Sequence, residues 1–472
     1  MRGPFVAVVF LSSALWAQWN PWHPPQELVI TNVNVVDTLE GAILSNRTVV
    51  IHGGRIRAIA KVGLIESSHK IQVVNATGKY LIPGLWDMHV HSGDLANAWD
   101  DKILFPLYIA NGVTGVRDMS REQDGLKSRQ ERIEHGDLIG PHLILGPSLA
   151  TSKSATHFRN ISDFEEPEPL AVVASRERAP AALSAPLVFS RKAFLDAPEI
   201  LQTSHPAAMI AVSLTTSYPS FAPEKSMDHL TNTLLACSSQ EGALRQERAE
   251  TTMNHDLEGY WAVGMNAFAS YDPDKAWARF VQISNENTWQ VPALVWTQAS
   301  ANIDRSGLGG DPRLLYVPEL VREQWQPQNL LRQTDPKRLA DLKTEAARSL
   351  ELVRTMHRAG VQFLAGTNSP EPYVFPGFSL HDELELLVKG GLTPLQALQA
   401  ATFNPALFLV KLDQYGIIQE KHVADLVLLN DNPLQDIGNT RKIFAVIVGG
   451  KLYSREDLDK MLARVQQAAE KK

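Results

Sequence analysis

Alternation of apolar and polar positions opens the chain. Leu28-Val29-Ile30 and Val33–Val36 alternate with polar residues in the period of two that marks a half-buried strand. Thr48–Ile51 and Ile56–Ile59 flank His52-Gly53-Gly54-Arg55, where two glycines supply the positive φ of a tight hairpin. Ile71–Val74 adds another strand. The same texture returns at the far end, in Asp425–Leu429, Ile443–Val448 and Lys451-Leu452-Tyr453, the last two separated by Gly449-Gly450. A small β-sandwich built from both chain ends is the simplest account.

Between those ends, strand and helix patterns alternate, as in a (β/α)8 barrel. The predicted strands are Leu85–His91, Val113–Asp118, Leu143–Gly146, Pro186–Ser190, Met209–Leu214, Lys225–Leu230, Gln290–Trp296 and Val361–Ala365. Leu104–Ala110 and Leu339–His357 read as helices that stop at Asn111-Gly112 and Ala359-Gly360. Thr393-Pro394 supplies an N-cap and a first-turn proline for Leu395–Ala401. From Ala150 to Pro180 the chain is polar and without a clear period. The predicted class is α/β, a TIM-like barrel with a β-sandwich domain, divided as 18–80, 81–419 and 420–472.

Residues 1–17 change the picture at the front. Arg2 precedes an uncharged apolar run from Phe5 to Trp16, followed by Ala17, the order of a secretory signal peptide. Cleavage after Ala17 and an exported location, periplasmic or extracellular, are the expectation; a retained N-terminal anchor is the alternative. The chain's 472 residues suffice for one large barrel and an accessory domain. A net charge of −7 gives no basic footprint for nucleic acid or for a membrane surface. Cys237 is the single cysteine, which excludes an intrachain disulfide and a cysteine-rich zinc site.

Candidate chemistry begins at Pro83-Gly84-Leu85-Trp86-Asp87-Met88-His89-Val90-His91. On a strand, His89 and His91 project to one face, where two imidazoles can share a divalent ion. A bare His-x-His also arises by chance on polar strand faces. Arg117-Asp118, ending the second strand, could touch a substrate or pair with each other. His381, ahead of the acidic start of a helix, is a loose candidate for the substrate pocket.

The segment Pro-Gly-Leu-x-Asp-x-His-x-His resembles the first barrel strand of the amidohydrolase superfamily of metal-dependent hydrolases. Gly366-Thr367-Asn368-Ser369-Pro370 is similar to that family's last barrel strand, and Ala424–Leu429 to its closing β segment. Within the superfamily, the imidazolonepropionase-like and Xaa-Pro-dipeptidase-like branch is the most similar. The resemblance implies a C–N bond hydrolase whose full site holds six side chains. His89 and His91 match the first pair, and His229 in Ser226-Met227-Asp228-His229-Leu230 matches the sixth-strand histidine.

Other positions depart from the family pattern. Pro186–Ser190 has an apolar residue where a bridging lysine belongs, with Lys153 and Lys192 nearby only in sequence. Met209–Leu214 has no histidine, and His205 lies too early. Asn368 replaces the strand-eight aspartate and cannot shuttle a proton; Glu371 is three residues on. The expected cofactor is one divalent ion, zinc first, on His89, His91 and His229. The expected partner is a small-molecule substrate, an amide, cyclic amide or dipeptide. The alternative is a catalytically degenerate barrel that binds a ligand without turnover.

Overall fold

The computed structural model describes residues 27–61, 71–93, 99–120, 124–146, 212–213, 226–254 and 256–470. The predicted leader at 1–17, the strand at 186–190, and Lys153, Lys192 and His205 lie outside them.

Five strands open the chain: β1 (Glu27–Val36), β2 (Ile43–His52), β3 (Arg55–Lys61), β4 (Ile71–Asn75) and β5 (Tyr80–Pro83). β2 turns into β3 at Gly53 and Gly54, whose φ values of 56° and 78° suit glycine. The central strands are β6 (Leu85–Val90), β7 (Val113–Asp118), β8 (His142–Leu145), β9 (Val212–Ser213), β10 (Ser226–Asp228), β11 (Trp289–Val291) and β12 (Gln362–Phe363). The chain closes with β13 (Leu426–Leu429), β14 (Ile443–Val448) and β15 (Lys451–Ser454).

One mixed sheet takes strands from both ends, in the order β15-β14-β13-β5-β1-β2-β3, with β4 on β1. Its seam is β5 against β13, where Leu81 faces Leu428 in an antiparallel register. Leu28, Ile30, Val33, Leu81, Leu426 and Leu428 bury one face of this sheet in a core of its own.

The central strands form two parallel sheets, β6-β7-β8 and β9-β10-β11-β12. The segment after β12 joins them, since Met88 N–H donates to the Ala365 carbonyl and Asn368 N–H to that of His89, both at 2.8 Å. Val90 bridges Ser369 in parallel. Every residue of β6 and β7 is buried, as expected of parallel strands covered on both faces.

Helices fill the connections. Asp101–Ala110 starts at Asp100, whose side chain accepts the Lys102 amide at 2.8 Å. Pro336–Arg358 carries the predicted helix, capped by Asp335 with proline in its first turn. Thr393 and Gln396 close a capping box on Pro394–Ala400.

The seventh predicted strand is corrected. Gln290–Trp296 reads as one apolar run, yet β11 ends at Val291 and Ala293 takes a left-handed φ of 48°. The helix Leu294–Ala301 follows immediately and carries Trp296. Short apolar runs do not separate strand from buried helix.

Candidate metal centre

β6 delivers Asp87 and His89 to one face, and His91 follows just beyond the strand. His89 is fully buried, and its Nδ1 lies 2.7 Å from Asp228 Oδ2 on β10. Burial alone would raise the Asp228 carboxyl, but the Arg117 guanidinium and the His89 hydrogen bond hold it well below the ordinary carboxylate range. An ionised Asp228 can only accept, so Nδ1–H of His89 donates to it and Nε2 is left as a bare lone pair.

That lone pair points at a small cluster. His89 Nε2 is 3.1 Å from His91 Nε2, and His91 Nε2 is 3.0 Å from Asn368 Oδ1. Asn368 holds φ at 67°, a left-handed conformation that asparagine tolerates well among non-glycine residues. Its N–H is tied at 2.8 Å to the His89 carbonyl, which fixes its backbone beside the His89–His91 segment.

His229 follows β10 with φ at 63°, its N–H bound to the Val291 carbonyl at 2.8 Å. Its ring sits 4.7 Å from that of His89 and 5.0 Å from the half-buried Trp296. Burial, then the neighbouring His89, push its imidazole down to about 3, so it is neutral across the physiological range. His229 Nδ1 is buried with no hydrogen-bond partner among the described residues. The structure therefore brings His89, His91, His229 and Asn368 together.

Arg117 and His381 fall elsewhere, which corrects their reading as substrate contacts. Arg117 is fully buried behind His89, donating to the Met88 carbonyl at 2.7 Å, to Ser226 Oγ at 3.0 Å, and to both Asp228 oxygens at 3.0 and 2.7 Å. Nor does it pair with Asp118, which instead accepts from Ser92 N–H at 3.0 Å, from Ser92 Oγ, and from Ser120 N–H at 2.8 Å. His381 is buried in the helix Phe378–Lys389, with Nδ1 2.9 Å from Thr440 Oγ1 and Nε2 3.1 Å from the Asn111 carbonyl. It packs elements together away from the cluster.

Two contributors escaped the sequence reading. Asp228 was legible in principle, because Ser226 and Asp228 share a strand face two residues apart and both meet Arg117. Trp296 was hidden by the run that looked like strand. Asp87 backs the cluster: it accepts from Thr367 Oγ1 at 2.6 Å and Thr367 N–H at 3.0 Å, and burial lifts its carboxyl to about 7.

The donors suit a divalent ion. Two ligands each ~2.1 Å from a tetrahedral zinc lie ~3.4 Å apart, so an ion entering here would spread the 3.1 Å Nε2–Nε2 and 3.0 Å Nε2–Oδ1 spacings slightly. Among the described residues no three His, Cys, Asp or Glu side chains gather closely enough to hold an ion by themselves. The third donor is the Asn368 amide, so this set carries no charge of its own.

A model of the amidohydrolase family matches residues 331–453, the stretch that spans β12, Asn368 and the seam strand β13. That match, with the relatives that follow, supports membership of the amidohydrolase superfamily. Ochratoxinase of Aspergillus niger is 23% identical over 425 residues, 82% of this chain and 77% of that protein. Bottromycin amidohydrolase superposes with a TM-score of 0.61 at 16% identity, covering 95% of this chain and 92% of the other. A Xaa-Pro dipeptidase with methionine in its active site gives 0.52 at 18% identity, covering 91% and 100%. At these identities the structural likeness speaks for the fold, which in this superfamily is a TIM-like barrel. Members of the amidohydrolase superfamily are generally metal-dependent.

Proposed function

We propose that this amidohydrolase binds one divalent ion, zinc first, and hydrolyses C–N bonds of small amides, cyclic amides or dipeptides. The two parallel sheets then belong to one closed (β/α)8 barrel spanning 81–419. Residues 18–80 and 420–472 make the accessory domain. The observation that carries the reading is that His91 Nε2 lies 3.1 Å from His89 Nε2 and 3.0 Å from Asn368 Oδ1, with His89 held in the metal-binding tautomer by Asp228. The amide-hydrolysing names of the ochratoxinase, dipeptidase and bottromycin relatives supply the bond type. Export rests on the charge-then-apolar order of residues 1–17.

The bound ion would lower the pKa of a water and polarise the scissile carbonyl. His89 and His91 hold it, and Asn368 adds a neutral oxygen. His229, neutral and with an unengaged Nδ1, lines the cluster as a hydrogen-bonding group and not as a third histidine ligand. Trp296 walls the His229 side with a flat apolar surface that limits water.

One observation favours a second reading, a binding protein without turnover. Asn368 stands where the family's proton-transferring aspartate belongs, and a positioned acid–base group is worth roughly 10²–10⁴-fold in rate. The test is metal analysis of the purified chain, followed by a panel of dipeptides, N-acyl amino acids and cyclic amides with and without chelator. Near-stoichiometric metal with chelator-sensitive turnover supports hydrolysis. Metal without turnover supports the second reading, and a chain that takes up no zinc on reconstitution sinks both metal readings.

A further inference from the structure

We propose that His142 and Asp425 form a pH-sensitive clasp fastening the sheet built from both chain ends to the N-terminal ends of the parallel strands. His142 opens β8, and Asp425 immediately precedes β13. Their side chains meet at 2.7 Å, Nε2 to Oδ2, across a junction that joins two separate sheets.

Asp425 gathers more than the imidazole. Its Oδ1 accepts the Gly449 N–H at 2.6 Å, in the turn between β14 and β15. Its backbone carbonyl accepts the Gly84 N–H at 2.8 Å, at the junction of β5 and β6. One residue therefore ties the end sheet to itself, to the β5–β6 link and to β8. The Tyr415 ring completes the junction, 5.1 Å from His142 and 5.6 Å from Trp86 on β6.

The groups that face His142 are few. Asp425 approaches from the end sheet and Glu134 from the end of the helix Asp124–Glu134. Lys411 and the Tyr415 ring come from the segment after the helix Phe403–Phe408. Burial works against the imidazolium, and so does Lys411. Asp425 and then Glu134 outweigh them and lift His142 above its ordinary 6.5. With 33% of its side chain exposed, His142 exchanges protons with solvent directly.

A histidine raised in the folded state stabilises it fully below the unfolded value of 6.5, and that contribution is lost as pH rises through the folded value. The clasp is closed by charge in mildly acidic medium and weakens in alkaline medium. Tyr415 links it to Trp86 near the start of β6, whereas His89 lies near that strand's end.

The experiment is an imidazole NMR titration of the full chain, with the His142 resonance assigned by its loss in His142→Gln. His142 should titrate above 6.5 in the wild type and drop in Asp425→Asn. Melting of wild type and His142→Gln across pH 6 to 9 should show a gap in Tm that is widest at pH 6 and closes toward pH 9. Titration at or below 6.5, or a value unmoved by Asp425→Asn, overturns the clasp. If His142→Gln fails to fold, Asp425→Asn and the wild-type titration still decide it.

Discussion

Replacing Asp228 by asparagine tests the metal centre through its support. In the wild type the carboxylate takes hydrogen bonds from His89 Nδ1 at 2.7 Å and from Arg117 at 2.7 and 3.0 Å. Asp228→Asn keeps the shape but removes the charge, and its NH2 group must face either His89 or the Arg117 guanidinium. His89 is then free to take the other tautomer, with a proton on the nitrogen that faces His91. Loss of such a carboxylate behind a metal-bound histidine weakens affinity by about 10–100-fold, which is ~1.4–2.7 kcal/mol of binding free energy. Arg117 also loses its counter-charge while fully buried, and breaking a buried pair in this way costs about 3–5 kcal/mol of stability. Zinc titration against a competing chelator, beside thermal melts of the zinc-free chain, separates the two effects. A variant that is less stable yet binds zinc as tightly as the wild type would refute the orientation of His89 by Asp228.

Three further outcomes follow from the same geometry. Asn368→Asp should tighten zinc binding, since an amide oxygen becomes a carboxylate beside His91 Nε2. Its turnover on the amide panel should gain less than the ~10²-fold lower bound for a complete acid–base group, and a larger gain would show that the carboxylate was all the site lacked. Gly366→Ala would set a methyl 2.5 Å from Val291 Cγ1 and 2.8 Å from His89 Cβ, costing about 1–3 kcal/mol and disturbing His89; an unchanged Tm and zinc affinity would count against that packing. Burial lifts the Glu383 carboxyl from 4.5 to about 8, while its Oε2 accepts the Val295 N–H at 2.7 Å. The folded chain therefore holds a proton there that the unfolded chain releases, and stability falls as pH climbs from 4.5 through about 8. Glu383→Gln should flatten that fall in denaturant midpoints measured across the range, and an identical slope in both proteins would refute it.

What the sequence disclosed was periodic and local. The two-residue spacing of His89 and His91 put them on one side of a strand, and the structure joins them through Nε2 atoms 3.1 Å apart. The alternating runs at both ends pointed to shared strands, and β5 and β13 do pair. What stayed hidden depended on which distant groups meet. Arg117 read as a substrate contact or a partner of Asp118, and only the approach of β10 shows that Asp228 and Ser226 absorb its donors. His381 looked poised for a ligand, whereas Thr440 and the Asn111 carbonyl occupy both ring nitrogens. Trp296 was lost because the backbone reverses hand at Ala293, a residue whose side chain gives no hint of it.

The seam between β5 and β13 sets a schedule for synthesis. β5 emerges early, but the strand that covers its open side, β13, leaves the ribosome roughly 340 residues later. At ~5–20 residues per second that is a wait of about 17–70 s, during which an uncapped edge is available to any passing extended chain. Chaperone demand in cells, and aggregation of nascent fragments that stop short of Leu426, should therefore centre on the opening strands and not on the histidine-bearing middle of the molecule.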